Sequence, residues 1–210
     1  MSRRLRLGVL LSGGGRTLLN LLDCIDEGSL SATVELVISS RPGALAVHRA
    51  SDRGLDVRIA ACRDFGSEAE MHDTITSWLL EHLVDLVCLG GYVRWLRVDP
   101  PFKQRVVNIH PALLPNFGGR GMYGPRVHEA VLKSGDSVSG CTVHFVDDQY
   151  DHGPIILQRE CPVLPDDDVA HLAGRVFEQE CLAYPEAIRL FAADRLRVED
   201  GMVNILSESS

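Results

Sequence analysis

The sequence predicts an α/β protein built on one mostly parallel, twisted sheet with helices on both faces. Three observations carry that expectation. Short apolar runs alternate with helical patterns through the first half of the chain, the order expected of a doubly wound sheet with crossover connections. Glycine clusters at Gly13-Gly14-Gly15 and Gly90-Gly91 follow two of those runs, where strands give way to loops. Asn108 and His110 end a further apolar run just before Pro111, so polar groups stand at a strand's C-terminal end, where open parallel sheets bind ligands.

Leu5-Arg6-Leu7-Gly8-Val9-Leu10-Leu11 is a short run fit for an interior strand. Ser12-Gly13-Gly14-Gly15-Arg16-Thr17 separates it from the helical pattern Leu18-Leu19-Asn20-Leu21-Leu22. In such a strand, loop and helix the glycines let backbone approach a ligand closely, and the N–H groups opening the helix favour an anion. The spacing is neither G-x-G-x-x-G nor the P-loop pattern, so a small phosphate ester suits it better than a dinucleotide or a nucleoside triphosphate. A turn that only reverses the chain fits the same residues.

Residues 33–39 read as a second strand, residues 44–53 as a helix after the Pro42-Gly43 turn, and residues 56–60 as a third strand. Ser67 is suited to N-cap a helix with Glu68 and Glu70 in its first turn and with Ile75, Trp78, Leu79 and Leu83 as its apolar face. Residues 85–89 then read as a fourth, buried strand, followed at the same sheet edge by Gly90-Gly91-Tyr92-Val93-Arg94-Trp95-Leu96. A flat ring beside a guanidinium suits a planar heteroaromatic ligand, and Trp95 as core filler fits equally well.

In Val106-Val107-Asn108-Ile109-His110, Asn108 and His110 lie one pleat apart and leave the same face of the strand. Pro111 and Pro115 bracket a stiff turn, because each fixes φ and lacks an N–H. A lone histidine here is as compatible with a structural hydrogen bond as with catalysis. Residues 116–125 hold four glycines and read as a flexible loop suited to a lid. A helix over residues 127–132 ends near Gly135, and residues 141–146 and 155–158 form a hairpin-like pair around the turn from Asp147 to Pro154. Pro165-Asp166-Asp167-Asp168 is an acidic helix start, and the helix runs on through Leu172, Val176, Glu180, Tyr184, Ile188 and Phe191. Residues 195–206 form a minor hairpin, and the last, polar residues fray.

The 210 residues, 45% hydrophobic and 24% charged, predict a soluble single domain over residues 1–210, with a core at 5–193 and a minor hairpin and tail at 194–210. No apolar run approaches the roughly 18 residues of a membrane span, and no secretory cleavage pattern follows the basic start. Cys24, Cys62, Cys88, Cys141, Cys161 and Cys181 are widely spaced without C-x-x-C or a Cys-His cluster, so they read as small core residues in a reducing cytoplasm rather than metal ligands. A net charge of −8 argues against a nucleic-acid binder and requires that any anionic substrate be held by local groups. Monomer and dimer both stay open.

Asn108-Ile109-His110-Pro111-Ala112-Leu113-Leu114-Pro115, Thr142-Val143-His144-Phe145-Val146 and the Asp151-x-Gly153-Pro154 turn together resemble the folate-dependent formyltransferases, in order and at family spacing over residues 7–191. Ser12-Gly13-Gly14-Gly15 narrows the resemblance to the branch that formylates glycinamide ribonucleotide in de novo purine synthesis. The resemblance implies a Rossmann-like sheet and transfer of a formyl group from 10-formyltetrahydrofolate, the co-substrate, without a metal. It implies a catalytic group of Asn108, His110 and Asp151, ribonucleotide binding by Gly15, Arg16, Thr17 and Glu180, and folate binding by Val93, Arg94, Trp95, Leu96 and Asn108. Donors from Asn108 and a protonated His110 would meet the oxyanion where its charge develops, and Asp151 would help relay the amine's proton. His144 matches a family histidine and is left outside the expected catalytic group.

The chain departs from the family at Arg16-Thr17, where Ser-Asn is common, at His152, where Gly is common, and at Glu68, where Arg is common. Residues 118–124 are also longer and richer in glycine than usual. Methionyl-tRNA formyltransferases share the motif around His110, but they carry a C-terminal domain for which nothing remains after Phe191, and formyltetrahydrofolate hydrolases usually add an N-terminal domain. A non-catalytic folate or nucleotide sensor on the same fold is disfavoured by the presence of Asn108, His110 and Asp151 together.

Overall fold

The structure, a computed structural model, describes residues 3–207, so Met1, Ser2 and the last three residues, to which the frayed end was assigned, lie outside the described residues. The chain divides into two compact units, Met1–Val107 and Asn108–Ser210. Among the described residues the strands form one seven-stranded sheet and a separate two-stranded hairpin.

The first unit contains β1 (Leu5–Leu11), α1 (Arg16–Asp26), β2 (Ala32–Ser39), α2 (Leu45–Asp52), β3 (Val57–Ile59), α3 (Glu68–Glu81), β4 (Leu86–Leu89) and the start of β5 (Val106–His110). β1 pairs in parallel with β2 and β4, and β2 with β3, as the alternating pattern predicts. Leu7, Val9, Leu10 and Leu11 have no exposed surface, which is why β1 reads as a continuous apolar run rather than an alternating one. The chain first winds outward from β1 to β3 and then returns to place β4 on β1's other side. The loops after β1 and β4 therefore flank the point where the winding reverses, the usual ligand crevice of an open sheet.

Ser67 caps α3 as predicted, its Oγ accepting from Glu70 N at 3.1 Å. One face residue is corrected: α3 stops at Glu81, and Leu83 stands beyond it at φ 51° with 65% of its surface exposed. Met71 and His72, with Ile75 and Leu79, form the buried face instead. Periodicity assigned Leu83 to that face because it assumes the helix continues.

The second unit holds the end of β5, α4 (Pro125–Ser134), β6 (Val138–Phe145), β7 (Ile155–Pro162), α5 (Val169–Ala192) and a separate hairpin, β8 (Leu196–Glu199) with β9 (Met202–Ile205). Gly135 ends α4 in the left-handed region, and Asp168 caps α5 by accepting from His171 N at 2.8 Å. β6 and β7 pair antiparallel, with an irregularity between Val143 and His144, and both strands run longer than their alternating sequences indicate. α5 packs on both and carries Pro185 buried within it. Among the described residues no helix is long and apolar enough to cross a membrane.

Candidate active site

The expected catalytic group assembles within the second unit. His110 is 3% exposed at the end of β5. Its Nε2 lies 2.8 Å from Phe117 O, and because a carbonyl can only accept, Nε2 carries a proton and donates. Its Nδ1 stands 3.5 Å from Asp151 Oδ2, and the same oxygen accepts from Gly119 N at 2.9 Å. Asp151 Oδ1 lies 3.4 Å from Asn108 Nδ2. One carboxylate thus gathers the strand end and the start of the glycine-rich loop.

The turn that presents Asp151 is tight. Asp151 adopts φ 52°, and two residues later a Cβ on Gly153 would lie 2.0 Å from Phe145 O, so only glycine lets the two backbone segments approach this closely. His152 points outward and pairs its Nδ1 with Asp147 Oδ2 at 2.7 Å, a contact that raises the His152 pKa.

His144, which the sequence leaves outside the catalytic group, joins it in the structure. On β6 and 2% exposed, it donates from Nδ1 to Phe145 O at 2.8 Å, and burial holds its pKa below the ordinary value. A neutral ring protonated at Nδ1 has a bare Nε2, and the atom facing it at 3.1 Å is Asn108 Nδ2. The imidazole therefore decides the orientation of the Asn108 carboxamide, amide toward His144 and Asp151. A depressed pKa makes the neutral ring a source of stability that is present above about pH 6.5 and lost as pH falls through the folded value. In an NMR titration the His144 ring accordingly stays neutral at pH 6.5, whereas a ring already half-protonated there would undo this assignment of the amide.

His128 on α4 is a further buried imidazole, its pKa lowered by burial and then by the charge of His110. Glu180 lies half-buried on α5, its charge adding to the burial that pushes the Cys141 thiol up to about 12.

The other expected ligand groups lie in the first unit. Gly15 takes φ 75° at the start of α1, and a Cβ there would meet Ala46 Cβ at 2.7 Å, so the glycine allows both the turn and the approach of α2. Ala46 N donates to Gly13 O at 3.1 Å, and Arg49 Nη1 donates to Gly14 O at 2.6 Å. No side chain caps α1, so its first N–H groups keep the capacity to bind an anion. Arg16 is exposed and Thr17 half-buried, with Thr17 Cβ 3.2 Å from where a Cβ on Gly90 would sit. Arg49 is a cation that the sequence reading missed, since nothing local connects it to a loop 35 residues earlier.

Val93 N donates to Ser12 Oγ at 3.1 Å, Arg94 is exposed and Leu96 is buried. Trp95 packs edge-on against His72, with ring centroids 5.2 Å apart, and its carbonyl faces His72 Nε2 at 3.4 Å. Arg97 then bonds Asp99 and Asp73, and Thr76 donates to Asp99, tying the segment to α3 and holding the Asp99 carboxyl below its ordinary pKa. Half-buried on a histidine, Trp95 is part packing and part surface.

Residues 5–188 match the family model described as formyl transferase. The chain is 34% identical over 201 residues to a phosphoribosylglycinamide formyltransferase of Haemophilus influenzae, covering 94% of this chain and 92% of that protein. It is 40% identical over 194 residues to the trifunctional purine biosynthetic protein adenosine-3 of Drosophila melanogaster, covering 90% of this chain but spanning only 14% of that much longer protein. Among solved structures, glycinamide ribonucleotide transformylase 1 from Symbiobacterium toebii superposes with a TM-score of 0.90 at 40% identity, over 99% of this chain and 96% of that one.

Proposed function

The chain belongs to the formyl transferase family, and from that premise we propose that it transfers a formyl group from 10-formyltetrahydrofolate to the amine of glycinamide ribonucleotide, in purine biosynthesis. The observation that carries the reading is the convergence of Asn108, His110 and Asp151 within a chain matched to the family across all three. One formyltransferase domain over residues 1–210, with its core at 5–193, accommodates that match, and a cytoplasmic setting suits six cysteines that form no disulfide among the described residues.

The amine's lone pair attacks the formyl carbon, a new C–N bond forms, and the carbonyl oxygen takes up negative charge. Asn108 Nδ2–H and His110 Nε2–H are the donors suited to that charge. The His110 proton is held by Phe117 O, so the formyl oxygen must displace a carbonyl at the start of the glycine-rich loop, which gives the loop a part in substrate entry. Asp151 accepts the amine's proton on its way to the folate nitrogen as the old C–N bond breaks. Purified protein with both substrates should release tetrahydrofolate in step with formylated ribonucleotide. Release of formate without transfer would overturn the reading in favour of a hydrolase.

In this reading Gly15, Arg16, Thr17 and Glu180 serve the ribonucleotide, and Val93, Arg94, Trp95, Leu96 and Asn108 the folate. A chain of net charge −8 binds a phosphate against its average field, so oriented N–H groups and a local cation must supply the attraction. Arg16→Ala and Arg49→Ala should each raise the KM for the ribonucleotide by about tenfold or more, the scale of a charge-assisted hydrogen bond, with the folate KM little changed. An unchanged ribonucleotide KM in either variant removes that guanidinium from the phosphate.

A further inference from the structure

We infer that Ser12, oriented by Ser40, is a positioning residue through which the ribonucleotide loop holds the folate loop in place. The inference rests on the ligand assignments just proposed and adds a connection between them. β1 and β4 are neighbours on either side of the winding reversal, and their loops leave the same sheet edge. The ladder between them continues through Gly90 N, which donates to Leu10 O at 2.8 Å. Beyond it, Ser12 takes over: its N–H donates to Gly91 O at 3.1 Å, and its Oγ accepts from Val93 N at 3.1 Å. One serine thus grips both sides of Tyr92 and sets where the folate segment begins.

The hydroxyl that accepts from Val93 is itself held. Ser12 Oγ lies 2.6 Å from Ser40 Oγ, both serines are buried, and Ser40 N donates to Leu11 O at 3.1 Å. Either hydroxyl can donate across this contact, and with two lone pairs Ser12 Oγ accepts from Val93 N in both cases, while Ser40 fixes its position. On its other side Ser12 leads directly into Gly13 and Gly14, whose carbonyls are tied to Ala46 and Arg49 of α2. The glycine loop is thus anchored on α2 without the Ser12 hydroxyl, whereas the Val93 N–H takes its position from that hydroxyl.

The test is steady-state kinetics on Ser12→Ala, Ser40→Ala and the double variant, with thermal melts to establish folding and amide exchange at Val93. Ser12→Ala leaves the part-buried Val93 N–H without its acceptor, so the folate KM should rise about tenfold while the ribonucleotide KM stays within about twofold, and Val93 should exchange faster. Ser40→Ala should move the folate KM in the same direction by less. The double variant should be no worse than Ser12→Ala, because both changes act through one hydroxyl. Should Ser12→Ala fail to fold, the folate-selective rise in Ser40→Ala decides the matter. An unchanged folate KM in a folded variant, or equal rises in both KM values, would overturn the inference. A wild-type protein that transfers no formyl group would instead overturn the functional reading on which it rests.

Discussion

His110→Ala and Asp151→Asn should each lower kcat by about a hundredfold or more, with modest change in either KM, as expected when an oxyanion donor or a proton-relay group is lost. Truncating His110 removes the Nε2–H donor and leaves Phe117 O without it. Asp151→Asn is nearly isosteric and isolates the charge. The asparagine oxygen can still accept from Gly119 N, but the NH2 then takes the Oδ1 position and confronts Asn108 Nδ2, so a donor meets a donor. Single-turnover measurements keep product release from masking the chemical step. Near wild-type turnover in either variant would withdraw that residue from the catalytic group.

Gly153→Ala should be nearly as damaging, although residue 153 has no side chain to do chemistry. Its Cβ would stand 2.0 Å from Phe145 O, 2.9 Å from the carbon of that carbonyl and 3.3 Å from Asp147 N, all backbone atoms that no rotamer change can move aside. Relief requires the turn to open, which carries Asp151 away from His110 and Asn108 and loosens the end of β6. A loss on the order of 3 kcal/mol is expected, at the upper end for overpacking, with a kcat decrease in the fraction that folds. Gly174→Ala in α5 is the matched control, because nothing lies within 4 Å of its Cβ and alanine is the better helix former by up to about 1 kcal/mol. Urea midpoints of the two variants should move in opposite directions. A Gly153→Ala protein as stable as wild type would mean that the turn relaxes freely and does not hold Asp151.

The contrast between these two glycines also marks how far sequence reading goes. Gly153 and Gly174 are the same letter, and the first was legible only as part of a family-like turn. By itself the sequence determined what depends on near neighbours. Buried strands such as β4, and β1 from Leu7 onward, show as unbroken apolar runs, Ser67 announces a helix start through its cap, and Asn108 and His110 share a face because they are one pleat apart. Tertiary structure decided what depends on register between distant segments. His144 meets Asn108 across 36 residues, Arg49 reaches Gly14 across 35, and Ser12 accepts from Val93 across 81. The protonation of His144 and the direction of the Asn108 amide follow from burial and from which atom the fold brings opposite. A hydrogen bond needs its partner within about 3 Å, and only the packed chain determines which partner that is.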